Sequence, residues 1–491
     1  MARGYRQTVQ ALRLLNRLFF RRIEATGLEH IPATGGGIVV SWHPNAIVDG
    51  ALILTHFPRR IVFGARHGLF RWPILGWVMR QLGTVPIYRR QDVAPGGGHS
   101  ERPAANTQSL DALAQAVADG RFAALFPEGT SHDEPSPQEL KTGAARLFYR
   151  ATELTSEAGV KPVIIPVGLH YDKKGVFGSN ALVAFHPPLD LDPELAEPPA
   201  PDASFEEARK KYRRLTDEIE RALHEVVHAT ESWELHYLLH RGRKLIRAER
   251  ASRAGASLDR PDMAERQLGF ARLWAGYRAL RKTHPREVDA LLSRVGDYDQ
   301  DLRAFGLHDH ELDGNPRLRS HWVAAVLLLQ VILVYLLLPP ILLVGFVANV
   351  PTAFFVTAVS KGASRAYKDE ATVKLLLGAI AFPLTWLVIA VFAGAGVAAL
   401  HPIYPRIPNA PFLTAVVAFL LSALGGFVVL HYQRLLQETL RAIRVRFTRA
   451  RRADAINQLR EERSELYDGM IGLSEGLELP GTLARDGRVL K

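Results

Sequence analysis

His43 and Asp49 stand six positions apart in the segment Ser41-Trp42-His43-Pro44-Asn45-Ala46-Ile47-Val48-Asp49-Gly50, directly after the apolar run Ile38-Val39-Val40. A neutral imidazole whose second nitrogen is held by a carboxylate can take a proton from a hydroxyl. Asp49 can hold His43 in this way if the intervening turn folds back. A second block, Gly83-Thr84-Val85-Pro86-Ile87-Tyr88-Arg89-Arg90, is strand-like and ends in two guanidinium groups. Arginine binds phosphate through two parallel hydrogen bonds, so Arg89 or Arg90 is a candidate phosphate ligand.

A third block, Phe126-Pro127-Glu128-Gly129-Thr130-Ser131, closes an apolar run in a glycine turn. Glu128 can accept hydrogen bonds from substrate hydroxyls or from a basic partner. Gly129 permits close backbone approach, and Thr130 shares the turn. Lys141, in Lys141-Thr142-Gly143, places a cation at a helix start. Glu128, Gly129, Thr130 and Lys141 are therefore candidate substrate-binding residues. The fourth block, Ile164-Ile165-Pro166-Val167-Gly168, has a mid-strand proline, which belongs at an edge or a bulge.

Two other clusters invite metal chemistry. His224-Glu225-Val226-Val227-His228 matches H-E-x-x-H, which on a helix sets two imidazoles on one face. A zinc site needs a third ligand, and a charged amphipathic helix is the simpler expectation. His308-Asp309-His310-Glu311 with Asp313 is polar and is expected to be a solvated loop. No metal and no cofactor is expected.

The elements that must position these residues are short. Strands are expected at 37–42, 60–65, 84–88, 121–126, 162–169 and 181–185, and helices at 46–56, 105–119 and 139–157. This alternation implies an α/β domain with a mixed sheet flanked by helices. Gly96-Gly97-Gly98 lies in a loop, and the proline-rich stretch 187–202 marks a domain exit.

The 491 residues carry a net charge of +11, which suits nucleic acid, anionic lipid or an acidic substrate. Zinc-finger spacing and an RNA-binding aromatic block are both absent, so nucleic acid is not an expected partner. Without cysteine the chain has neither a thiolate nucleophile nor a disulfide. The N-terminal apolar run is interrupted by Arg13 and Arg17, which suits a basic amphipathic helix better than a signal peptide.

Long apolar stretches near the C-terminus favour lipid. Trp322–Ser360 contains no charged residue. As one helix it would run roughly 58 Å, about twice a hydrocarbon core of ~30 Å. Two crossings broken at Pro339-Pro340, or a re-entrant hairpin, fit better. The expected organisation is an N-terminal helix (1–26), an α/β domain (27–200), a charged helical segment (201–320), a transmembrane region (321–431) and a basic tail (432–491). The spans are placed at 321–338, 341–359, 375–399 and 411–431. The loop at 361–374 and the tail are rich in Lys and Arg, while 401–410 holds only Arg406. By the positive-inside rule the tail, that loop and the N-terminal domain are expected to be cytoplasmic.

Taken in order, the four blocks resemble the PlsC-type glycerol-phosphate acyltransferase family over about residues 27 to 190. The resemblance implies that His43 is the base, Asp49 its partner, and that the arginine and glutamate blocks bind glycerol phosphate. The acyl donor would be acyl-CoA or acyl-carrier protein, and anionic membrane lipid a partner. Five residues separate His43 from Asp49 where the commonest family spacing has four. The His-Pro-Asn-Ala-x-x-Asp form with a long C-terminal extension resembles the fungal-type glycerol-3-phosphate/dihydroxyacetone-phosphate acyltransferases and their bacterial relatives. It implies acylation of glycerol 3-phosphate, with lysophosphatidate as the alternative acceptor. A membrane zinc protease and a lipid-binding scaffold are the readings from other classes.

Overall fold

The computed structural model describes residues 2–88, 101–156, 159, 161–256, 261–313, 321–338, 342–363 and 367–490. The chain divides into two units, Met1–His236 with Ala366–Thr372, and Tyr237–Arg365 with Val373–Lys491.

The first unit is built on a seven-stranded sheet. Its elements in chain order are α1 (Ala2–Phe19), β1 (Arg22–Thr26), β2 (Gly37–Ser41), α2 (Ala46–His56), β3 (Ile61–Arg66), α3 (Pro73–Gln81), β4 (Val85–Ile87), α4 (Glu101–Ala118), β5 (Phe122–Leu125), α5 (Gly143–Thr155), β6 (Val163–Tyr171), β7 (Asn180–Phe185), α6 (Pro193–Ala196) and α7 (Phe205–Val227). The strand order is β1-β7-β6-β2-β5-β3-β4. Strands β6, β2, β5, β3 and β4 are mutually parallel, whereas β7 runs antiparallel to β6 and carries β1 parallel beside it. The crossover through α2 moves one way along the sheet, and the crossover through α5 moves the other way. Right-handed crossovers therefore place α2 and α5 on opposite faces. Both faces of β2 are covered, and all five of its residues are buried.

Two elements escape the sequence pattern. Strand β1 is exposed at Arg22, half-buried from Ile23 to Thr26, and lies on the sheet edge, where no strong alternation is required. The expected N-terminal helix therefore ends at Phe19, and residues 22–26 belong to the sheet. Helix α3 also went unpredicted, because Trp72, Ile74 and Trp77 are solvent-facing and blur its apolar stripe. Helix α1 packs on α2: Asn16 Nδ2 donates to Ala51 O and Thr55 Oγ1, and Arg13 Nη2 donates to Thr55 O at 2.7 Å.

Of the edge or bulge expected at Pro166, the edge is excluded, since β6 lies between β7 and β2. The β7 pairing begins only at Val167↔Phe185. At Pro166 strand β7 has already ended, and His186 N donates to Pro166 O at 3.0 Å. The missing proline N–H faces that same side, beyond the paired ladder.

The second unit is mostly helical. Helices α8 (Trp233–Arg253), α9 (Met263–Thr283), α10 (Pro285–Ala304), α11 (Asp309–Leu312) and α12 (His321–Ile332) precede the helices Leu343–Ala363, Tyr367–Leu400, Pro411–Arg451 and Ala453–Leu473. Leu245, Tyr298, Leu302 and Leu466 centre a core drawn from α8, α10 and Ala453–Leu473. Among the described residues two helices are long and apolar enough to cross a membrane, Glu370–Leu400 and Pro411–Val445.

The first two expected spans take a different form. One is the 12-residue α12 continued by a π turn, Leu333–Leu337, and the other is a helix with Pro351 in its interior. The expected break at Pro339-Pro340 lies outside the described residues. These helices still pack into the apolar bundle. A Cβ on Gly345 would meet Gly425 O at 2.9 Å, so the two backbones cross at the closest approach glycine allows. Asn349 satisfies itself across that crossing, donating to Ser422 O and accepting from Trp386 Nε1.

Candidate active site

The carboxyl ends of parallel strands β2, β5 and β6 meet on one edge of the sheet, the usual position for a ligand crevice in such folds. His43 follows β2, Phe126 and Glu128 follow β5, and Tyr171 ends β6. His43 Nδ1 lies 2.9 Å from Asp49 Oδ2. Asp49 is in the first turn of α2 and wholly buried, where the helix N-terminus favours a carboxylate. Its remaining capacity is filled: Asn45 N donates to Oδ2 at 2.7 Å, and Tyr171 Oη donates to Oδ1 at 2.5 Å. Burial, followed by the Asp49 charge, holds the Tyr171 hydroxyl well above its ordinary pKa, so it remains a donor.

The five-residue gap between His43 and Asp49 is taken up by one residue. Ala46 adopts a left-handed conformation with φ 46°, sparsely populated for a residue bearing Cβ. This turn brings Asp49 back to the imidazole. The neighbouring loop is clamped from outside: Lys174 Nζ donates to Pro44 O at 2.8 Å, and Asn45 Nδ2 donates to Lys174 O at 3.2 Å.

The carboxylate fixes His43 as the Nδ1–H tautomer, which leaves the Nε2 lone pair as the basic site. Nε2 has no hydrogen-bond partner among the described residues, and the side chain is 15% exposed. The ring stacks on Phe126 with centroids 4.0 Å apart and planes 10° apart. It cannot swing away from Asp49 without losing both contacts.

Glu128 was expected to accept hydrogen bonds from substrate hydroxyls or from a basic partner, and in the structure both of its oxygens have partners within the protein. It is 2% exposed. Oε2 accepts His43 N–H at 2.9 Å, while Oε1 accepts His132 Nε2–H at 2.8 Å and Gln138 N–H at 3.2 Å. His132 N in turn donates to His43 O at 3.1 Å. Glu128 therefore ties the β5 turn to the backbone of the histidine itself. Gly129 has φ 69°, and a Cβ there would lie 2.7 Å from Lys141 Nζ. The Lys141 side chain is exposed and is laid over that glycine turn. Thr130 is half-buried beside it.

Arg89 and Arg90 lie outside the described residues. The last described residue before them, Tyr88, is held by Asn106, which accepts Tyr88 N–H at 2.9 Å and donates to Tyr88 O at 2.8 Å. Tyr171, His132 and Lys174 were missed by motif reasoning, while Asn45 stood in the motif without a role of its own. Only Tyr171 had a signal, as the polar end of a long apolar strand.

The H-E-x-x-H motif does not form a two-histidine face. Helix α7 ends at Val227, and His228 turns into the left-handed region with φ 54°. His224 points toward Glu220 on the helix surface. His228 instead packs with His170 at 6.2 Å, and burial pushes its imidazole down to about 3. No group of three metal-ligating side chains forms among the described residues. The His308–Asp313 segment is not a solvated loop either: Asp309 is buried and bound by two nitrogens of Arg241.

Residues 22–170 match the family model described as Acyltransferase, and residues 255–473 match that of the glycerol-3-phosphate acyltransferase 2 C-terminal domain. The chain is 26% identical over 207 residues to glycerol-3-phosphate O-acyltransferase 2 of Saccharomyces cerevisiae, covering 42% of this chain and 26% of that protein. It is 21% identical over 381 residues to an uncharacterized acyltransferase of Schizosaccharomyces pombe, covering 61% of this chain and 54% of that one. The matched region thus spans about a quarter to a half of these relatives' length. Among solved structures, the 1-acyl-sn-glycerophosphate acyltransferase PlsC of Thermotoga maritima is 21% identical with a TM-score of 0.28, covering 44% of this chain and 79% of that chain.

Proposed function

We propose that this chain, an acyltransferase domain followed by a glycerol-3-phosphate acyltransferase 2 C-terminal domain and homologous to the yeast glycerol-3-phosphate O-acyltransferases, is a membrane-bound O-acyltransferase. It moves a fatty acyl group from the thioester of acyl-CoA or acyl-carrier protein to a hydroxyl of glycerol 3-phosphate. The observation that carries this is the Asp49–His43 pair at the carboxyl ends of the parallel strands, with an Nε2 that has no partner among the described residues.

His43 Nε2 takes the acceptor hydroxyl proton as the oxygen attacks the thioester carbonyl. Asp49 holds the tautomer and stabilises the imidazolium, as a triad carboxylate does. The tetrahedral intermediate collapses, the C–S bond breaks, and the imidazolium proton passes to the departing thiolate. No enzyme nucleophile is required, in keeping with a chain that has no cysteine. Glu128 and Tyr171 position the pair, Gly129 and Lys141 shape the adjoining turn, and Arg89 or Arg90 binds the acceptor phosphate.

Membrane attachment rests on the helices Glu370–Leu400 and Pro411–Val445, whose apolar side chains are largely exposed. Two spans, like four, return the chain to the side on which it started. The Lys- and Arg-rich loop at 361–374 and the tail support a cytoplasmic acyltransferase domain by the positive-inside rule.

The test is acyl transfer by the detergent-solubilised protein from labelled acyl-CoA to each acceptor in turn, beside His43→Ala. Transfer to glycerol 3-phosphate, abolished in the variant, is expected. Transfer only to lysophosphatidate would move the enzyme one acylation further on. Full activity in His43→Ala would refute the mechanism.

A further inference from the structure

We propose that the second unit holds a separate site for a phosphate monoester, and that its occupant is the headgroup of an anionic membrane lipid of the phosphatidate class. The site is a pocket of about 570 Å³ between α8, α10, the turn after α10 and the helix Pro411–Arg451. That volume falls within the roughly 300–1,000 Å³ of ligand sites. This proposal does not rest on the acyl-transfer mechanism, and its test reads binding alone.

Charge is the first argument. Arg241, Lys244, Arg303, Arg441 and Arg444 converge on the pocket. Three of them are already matched. Arg241 binds Asp309 and Asp299, Arg303 binds Asp299 at 2.8 Å, and Arg441 binds Glu311 at 2.8 Å. Lys244 and Arg444 form no ion pair among the described residues, so they leave two uncompensated cations. Burial, followed by the charges of Arg241 and Arg243, pushes the Lys244 ammonium down, a strain that a bound anion would relieve. The paired arginines also have a use here. Their carboxylates fix the forks, so the walls are preorganised and only the two free cations need to close on a ligand.

Position is the second argument, and it selects lipid over a soluble anion. Arg441 and Arg444 lie on the same helix as the apolar run at 411–430, about three turns beyond its end. Helix α12 runs antiparallel beside it: Tyr432 Oη donates to Val334 O, and Gln330 Nε2 donates to Thr439 Oγ1. At the pocket's own level these helices still expose apolar side chains, Leu440 and Phe447 on one, Trp322 and Val326 on the other. Cations set beside exposed Leu, Phe and Trp match the headgroup layer, where basic pockets against membrane helices bind lipid phosphates.

The experiment uses the full chain in neutral detergent micelles, with fluorescent phosphatidic acid as the probe. Phosphatidylcholine and inorganic phosphate are run in parallel. Lys244→Gln/Arg444→Gln should weaken phosphatidic acid binding by about tenfold or more, as expected for two charge-assisted contacts. Neither side chain forms an ion pair among the described residues, so the thermal midpoint should hold. Arg209→Gln/Lys210→Gln on α7 controls for net charge and should bind normally. Undiminished binding in the Lys244/Arg444 variant, or equal binding of phosphatidylcholine, would overturn the site. Inorganic phosphate that binds alone with the same dependence and displaces the lipid would overturn the lipid assignment.

Discussion

Tyr171 donates its hydroxyl to Asp49 Oδ1 at 2.5 Å across 122 residues of sequence. Asp49 thereby accepts from Tyr171, Asn45 and His43 at once, and it lies wholly buried. A carboxylate held this way cannot rotate to follow the imidazole, so the imidazole is held to it. Tyr171→Phe removes one charge-assisted hydrogen bond in a dry site, worth roughly 1.5–3 kcal/mol. Turnover should fall about tenfold to a hundredfold, with the acceptor KM nearly unchanged. Initial rates over a range of acceptor concentrations measure this split, and a change confined to KM would count against a positioning role.

Asp49→Asn should be more damaging than Tyr171→Phe. The amide cannot accept from Tyr171, Asn45 and His43 together, so one donor is left facing an NH₂ group. The wrong histidine tautomer is then favoured, and a loss on the order of 10³–10⁴ in turnover is expected. Turnover numbers for the two variants, measured in one preparation, check the order. Equal losses would mean that Asp49 acts only as a structural anchor.

Glu128 distinguishes positioning from substrate binding. With both oxygens turned inward, Glu128→Ala strips the acceptor from His43 N–H and from His132 Nε2–H. It should lower turnover and the thermal midpoint together. A variant that folds normally and raises only the acceptor KM would restore Glu128 as a direct ligand.

Gly129→Ala places a methyl 2.7 Å from Lys141 Nζ and forces alanine to φ 69°. The lysine tip can move, but the backbone conformation remains strained by about 1 kcal/mol. A modest loss of stability with a larger loss of activity is expected. Denaturation midpoints beside initial rates test whether Lys141 matters to the reaction.

The histidines behind the sheet predict an acid instability. Burial pushes His228 down to about 3 and His236 to about 4, whereas both would titrate near 6.5 in an unfolded chain. Between those values the unfolded state binds protons that the folded state does not. Stability is therefore fully present above pH 6.5 and declines as the pH falls toward 4, by up to roughly 1.4 kcal/mol per pH unit for each group. Thermal midpoints of the full chain from pH 8 to pH 4.5 should show this slope, and His228→Gln should flatten it. An unchanged slope in that variant would locate the acid sensitivity elsewhere.

The sequence by itself determined the chemistry-bearing types and most of the sheet. Helix α2 falls at 46–56 as the pattern predicts, and β2, β5 and β6 fall within two residues of their expected bounds, because buried parallel strands read as unbroken apolar runs. His43 and Asp49 were legible because they share one short turn. What only the tertiary structure decided is how that turn closes and what surrounds it. Ala46 stands in the left-handed region, and no local preference of alanine foretells it. Tyr171, His132 and Lys174 reach the site through parallel pairing of β6 with β2 and of β5 with β2, contacts between segments about 85 to 130 residues apart. The sequence left Glu128 open between substrate hydroxyls and a basic partner. It is buried because the ends of β2 and β5 lie side by side, so the nearest donor to its oxygens is the backbone N–H of His43.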